Sequence, residues 1–422
     1  MNASEYTPNE PAREAPAARR KVLLVGNWNP SLLALRRLTA AGYQIIVGCG
    51  DRDRRFARSR YAHEVQRFPS PEESPARFID ALVSFLELRP DVTIVFPVDE
   101  TSVTCVARNM HRLPARVTAA VANAEAVLSC VHKDEMHRLS RAVGVPVARF
   151  VVAETRADVF RAAGEVGYPC VVKPTATGEI FGRKVLLAAS RSDIERLLPD
   201  WPQNERRLIV QSYAGSGRKN VYFAARHGEI LRECHTQIRR TDMPDGTGLV
   251  VDGETVPVDP RLHHYTARLL EQLHYTGIGC AQYQMDEDRD RFSFLEINPR
   301  LCGATGVACY SGLDLPLLAV ELAAGHSVEK LPRNFYPAGK RYSWRQRDFG
   351  GLAFAWRRGD IGLAGALRWT MRLAGAWLRS DVDVGWSWRD PVPSAANFIE
   401  GLLRVTLRWR RQSAALHLEK ST

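Results

Sequence analysis

The chain has 422 residues, 45% apolar and 25% charged, with a net charge of +11, which suits about two to four folded units and excludes a disordered protein. No uncharged apolar run of about eighteen residues occurs, and the first twenty residues lack the apolar centre of a signal peptide, so a cytoplasmic location is expected. The eight cysteines form no C-x-x-C pair, which argues against a zinc site or a disulfide framework.

The positive charge is not spread evenly. Residues 333–422 hold 16 Lys and Arg against 7 Asp and Glu, with seven of the nine tryptophans, so the first 332 residues are close to neutral. No recognised nucleic-acid motif accompanies those arginines, and nucleic-acid binding is not expected.

Residues 1–20, rich in Pro, Ala and charge, read as a disordered arm. KVLLVG (21–26) and QIIVGCG (44–50) are apolar runs bracketing a helix-like SLLALRRLTAAG, a βαβ unit on a parallel sheet. PARFIDALVSFLELRP (75–90) supplies the next helix and VTIVFPVDE (92–100) the next strand, so 21–123 is expected to be doubly wound. The G-x-G-x-x-G pattern of a dinucleotide site is absent. Asp99 and Glu100 stand where ligands bind in such sheets, or else cap a helix. From 124 the pattern becomes α, β, α, β, β, α, with YPCVVKP (168–174) as a central strand, and then LIVQSY (208–213). A long hairpin follows, turning at His227-Gly228, then a helix and the strand pair IGCAQYQMD (278–286) and RFSFLEINP (291–299).

Two constellations carry chemistry. Lys173 ends an apolar strand beside the glycine-bearing loop TATGEIFG, and Lys133 opens a helix, where the macrodipole disfavours a cation; both call for an anion. Glu296 and Asn298, with Gln282 on the neighbouring strand, offer three oxygen donors to a hard cation. Magnesium suits such a sparse set because phosphates and water complete its shell. Arg300 then lies within reach of the same phosphates.

In their order, Lys133, YPCVVKP, LIVQSY and FLEINPR resemble the ATP-grasp superfamily, in the branch near carbamoyl-phosphate synthase, biotin carboxylase and carboxylate–amine ligases. The resemblance implies an α/β chain. A Rossmann-like pre-ATP-grasp domain (21–123) would precede an ATP-grasp domain (124–332), whose small subdomain spans about 133–210 and large one 211–332. It implies ATP and Mg2+ or Mn2+ as cofactors and a homodimer, with carboxylate and amine substrates joined through an acyl phosphate. Lys133, Lys173 and the loop with Thr175 and Gly178 would hold the phosphates. Gln211, Ser212, Tyr213 and Ala214 would form the adenine hinge, with Asn220 near the ribose. Gln282, Glu296 and Asn298 would hold the metal. Arg300, Lys173 and Arg239 are the expected catalytic residues, Arg239 acting with Arg240 and His235 on a carboxylate or acyl phosphate. The chain departs from the family at Ser212 and Asn220, where acidic residues are usual. Alternatives are a bicarbonate-using enzyme, or a non-catalytic nucleotide-binding protein tethered to a membrane. Residues 333–422 read as an amphipathic helical extension that packs on the core, or else meets a membrane surface or a protein.

Overall fold

The computed structural model describes residues 20–26, 29–50, 56–176, 185–198, 207–215, 217–396 and 398–399. The apolar runs β1 (Lys21–Val25) and β2 (Gln44–Cys49) bracket helix α1 (Pro30–Ala40), which starts with a proline at its first turn. β3 (Ala62–Arg67), α2 (Pro75–Leu88), β4 (Val92–Pro97), α3 (Glu100–Arg108) and the short β5 (Thr118–Ala119) follow. All five strands are parallel, in the order β3-β2-β1-β4-β5, the doubly wound sheet the sequence suggests.

α4 (Ala124–Val131) and α5 (Lys133–Ala142) lead into β6 (Phe150–Ala153), α6 (Arg156–Val166), β7 (Cys170–Pro174), β8 (Leu186–Ala188), α7 (Arg191–Leu197) and β9 (Leu208–Ser212). Both α6 and α7 open with capping boxes, Thr155 with Asp158 and Ser190 with Asp193, which fixes where each helix starts. Their strands make a four-stranded antiparallel sheet, β6-β9-β7-β8.

The largest sheet begins with β10 (Gly217–Arg226) and β11 (Glu229–Thr241). They are joined at His227-Gly228, both with positive φ, the two-residue turn that matches strand twist. β12 (Val250–Val256), α8 (Pro260–Gln272), β13 (Gly277–Asp286) and β14 (Arg291–Asn298) complete its centre. α9 (Thr305–Tyr310) and α10 (Leu315–Ala323) pack between it and the parallel sheet in one apolar cluster.

The sheet does not end at the expected boundary of 332. β15 (Arg341–Ser343) pairs with β12, and β16 (Val382–Asp383) pairs with β15, giving the order β14-β13-β10-β11-β12-β15-β16. Between those two strands run α11 (Arg345–Arg357) and α12 (Leu363–Arg379). The extension is therefore threaded through the large sheet. Asp348 of α11 is buried and accepts from Arg240 of β11 (2.9 Å) and from Trp369 Nε1 of α12 (2.7 Å). Buried Asp390 accepts from Ser59 Oγ (2.6 Å) and the Arg60 amide (3.1 Å), tying the chain's far end to the parallel domain. Among the described residues no helix is long and apolar enough to cross a membrane.

Candidate active site

The three sheets converge on one cleft. Its walls carry Glu100 at the start of α3, Lys133 at the start of α5, Lys173 on β7, Gln211 on β9, Arg218 and Asn220 on β10, Gln282 on β13, Glu296 and Asn298 on β14, and Arg300 just beyond. Among the described residues, four cationic side chains against two carboxylates leave a surplus of positive charge facing the space, which suits a polyanion. Asp99 and Glu100 divide the roles left open for them. Asp99 caps α3, accepting from the Ser102 amide (2.8 Å), while Glu100 pairs with Arg300 (3.1 Å) and fixes its guanidinium at the cleft.

A bulge aims the carboxylate. Tyr283 faces Phe294 and Gln282 faces Glu296, so Leu295 is the extra residue. Strict alternation would send Glu296 to the side of Phe292 and Phe294, which are buried with Ile297 in one apolar cluster. The bulge turns Glu296 and Asn298 to the cleft instead. Its loosened backbone is satisfied from neighbours: Phe294 N–H donates to Pro146 O (2.7 Å), and His137 Nε2 donates to Leu295 O (3.0 Å). His137 is buried between Phe150 and Phe294. Burial and the Lys173 charge lower its pKa to about 3, so the ring is neutral when it makes that bond.

Burial alone would raise the Glu296 pKa, but Lys133, the hydrogen bond from Asn298 (3.0 Å), Lys173 and Arg300 hold it at about 2. The carboxylate is thus ionised throughout the physiological range. Burial lowers Lys173 to about 8 even though Glu296 favours its charged form, and Lys133 lowers it further. An ammonium that is partly discharged near neutral pH awaits an anion.

The donor set for a cation is small. Asn298 Nδ2 donates to Glu296 Oε1, leaving Glu296 Oε2 and Asn298 Oδ1 to meet an ion, and Gln282 Oε1 already accepts from Arg218 (3.4 Å). Among the described residues no three His, Cys, Asp or Glu are grouped as a metal cage. One ionised carboxylate with amides fits magnesium shared with phosphates, and does not fit a metal held by protein alone.

The cleft brings together most of the residues named from sequence. Lys133, Lys173, Gln211, Tyr213, Asn220, Gln282, Glu296, Asn298 and Arg300 all line it. Thr175 lies behind the lysines, its carbonyl accepting from the Lys133 amide (2.8 Å). At the hinge, the Ser212 and Tyr213 amides are engaged by Arg149 O (2.9 Å) and Pro169 O (3.0 Å). Gly178 and residues 177–184 lie outside the described residues.

Arg239 is a correction. Arg218 faces Ile238 across the β10–β11 ladder, so Ile238 shares the cleft side and Arg239 points to the other. There its side chain is 44% exposed and paired with Glu254 (2.5 Å). His235 lies on that same far face, bonded to buried Glu233 (2.9 Å), and Arg240 is engaged by Asp348. On this strand pair Arg218 reaches the cleft, donating to Gly248 O (3.0 Å). Its sequence signal is the alternation Arg218, Asn220, Tyr222 on one strand face. Trp344, from the extension, also lines the cleft and had no sequence signal at all.

The family described as "ATP-grasp in the biosynthetic pathway with Ter operon" matches residues 227–344. The carbamoyl phosphate synthase large chain of Rhodopirellula baltica is 24% identical over 232 residues, 50% of this chain and 20% of that one. The formate-dependent phosphoribosylglycinamide formyltransferase of Sulfurisphaera tokodaii is 24% identical over 207 residues, 46% of this chain and 51% of that one. The chain thus spans between a fifth and about half the length of these curated relatives. The fold is similar to that of a Campylobacter jejuni biotin carboxylase solved as a β-γ-ATP complex, with a TM-score of 0.60, 17% identity, and coverage of 76% of this chain and 74% of that one.

Proposed function

We propose that the chain is an ATP-grasp enzyme, a cytoplasmic, ADP-forming ligase that activates a carboxylate with ATP and joins it to an amine. The observation that carries this reading is the convergence of Lys133, Lys173, Arg300 and an ionised Glu296 on one cleft. The two lysines hold the phosphates of the nucleotide, and the Ala214 amide at the end of the hinge is the donor for the base edge. Glu296 and Asn298 would hold magnesium, which supplies charge neutralisation between the phosphates. Arg300, steadied by Glu100, stands where charge develops on the transferred phosphoryl group. The carboxylate oxygen attacks the γ-phosphorus, ADP leaves, and the amine then displaces phosphate from the acyl carbon. An ADP-release assay over a panel of carboxylate and amine pairs tests this. Release that requires both partners supports it; release driven by bicarbonate alone points to a carboxylating enzyme, and nucleotide binding without turnover to a sensing protein.

In this reading the carboxylate sits between Arg300 and Arg218, and Tyr222, Leu249 and Trp344, which line the same cleft, favour an apolar body. Arg218→Met is expected to raise the KM for the carboxylate about 10–100-fold, the worth of a charge-assisted hydrogen bond, with nucleotide binding unchanged. A KM within twofold of wild type would remove Arg218 from substrate binding.

Lys173 gives a pH signature. Phosphate favours its charged form, so nucleotide binding at pH 8, where its pKa lies at about 8, should take up about half a proton per site. Affinity should then fall as the pH rises through that value. Calorimetry in two buffers of different ionisation enthalpy reads the uptake; none at pH 8 would place the phosphates away from Lys173.

A further inference from the structure

Among the described residues, nothing covers the outer face of α12. At 100° per residue, Leu363, Leu367, Met371, Ala374 and Leu378 fall within an arc of about 80°, a stripe about 22 Å long. Leu363 is 76% exposed, Leu367 60%, Met371 61% and Leu378 89%. On the far side of the helix Trp369 and Leu373 are buried against α11, so the helix is anchored and its orientation set. Arg368, Arg372 and Arg379 adjoin the stripe on one side and are exposed. Other arginines of the extension have acids beside them, Arg345 with Asp383 (3.0 Å) and Arg347 with Asp242 (2.5 Å). For these three no ion pair exists among the described residues, and no acidic residue occurs between Ile361 and Ser380. Trp356, Trp377 and Trp388 are exposed on the same extension.

We propose that α12 docks this protein in the plane of an anionic lipid surface, with the Leu363–Leu378 stripe entering the headgroup boundary and Arg368, Arg372 and Arg379 meeting lipid phosphates. An apolar stripe beside unpaired cations, with no acid between them, matches a surface that is apolar beneath and negative above. Exposed Trp377, which adjoins the stripe on α12, matches the headgroup layer, which takes an apolar ring with a polar N–H. Another copy of the chain would present the same cations to one another, which disfavours self-association through this face. The attachment is peripheral, because the helix is amphipathic and none of the described helices can span a bilayer.

The test is cosedimentation of the full-length protein with phosphatidylglycerol vesicles and with phosphatidylcholine vesicles, at low and high salt. Binding to the anionic vesicles that weakens with salt is expected, and it should fall about tenfold or more in Leu367→Glu/Met371→Glu. Both positions face solvent, and an unchanged melting temperature will show that the fold is intact. Three results would overturn the proposal: no binding to anionic vesicles, equal binding by the double variant, or a wild-type dimer without vesicle binding that the same substitutions dissociate.

Discussion

Glu296→Gln is expected to lower turnover by about a hundredfold or more, the scale on which preorganised charge acts in a desolvated site, while the protein stays folded. The bulge at Leu295 delivers this side chain to a cleft where three positive charges, Lys133, Lys173 and Arg300, favour its ionised form. Glutamine keeps the size and can still accept from Asn298, so packing survives and only the charge is lost. The same substitution removes the Coulombic support that favours charged Lys173, so any residual activity should lose its high-pH limb at a lower pH than wild type. A steady-state pH profile of both proteins reads rate and limb together. An unchanged rate and profile would take Glu296 out of the chemistry.

Asp348→Ala is the largest stability effect expected. This carboxylate is buried between Arg240 of the sheet and Trp369 of α12. Removing it leaves a largely buried guanidinium with Asp252 at 3.6 Å as its remaining acidic neighbour. Breaking a buried pair from one side costs about 3–5 kcal/mol. A clear drop in melting temperature should accompany new proteolytic cuts between 345 and 379, since the same change unfastens α11 and α12. Asp348→Asn retains an oxygen for Trp369 and should cost less. A melting temperature equal to wild type would show that the extension is held by its apolar contacts alone.

The parts legible in the sequence are those where chemistry contradicts its surroundings. An apolar strand ending in Glu296, Asn298 and Arg300, or a lysine closing Cys170–Pro174, has no packing reason to exist, and both proved to line one cleft. Arg239 was misassigned because alternation gives two faces without saying which one is the cleft. That choice is made by the ladder opposite, where Arg218 faces Ile238. The bulge was equally hidden, since it depends on His137 and Pro146, more than a hundred residues away, to satisfy the backbone it loosens. The boundary at 332 failed for another reason: β15 and β16 span three and two residues, too short to show a period, yet they carry the sheet into the extension. Asp348 and Trp344 lie in the basic, tryptophan-rich stretch whose sequence fits packing on the core or meeting a membrane surface alike, and both are buried.

The most direct test of a nucleotide-binding cleft is a thermal melt of the wild-type protein with ATP, GTP and ADP, each with and without magnesium. A ligand that binds only the folded state stabilises it by about 2.7 kcal/mol when present at a hundred times its Kd. The expected result is a rise in melting temperature with ATP that grows when magnesium is added. No rise with any nucleotide at millimolar concentration, with or without the metal, would contradict the reading of Lys133, Lys173 and Glu296 as a phosphate site.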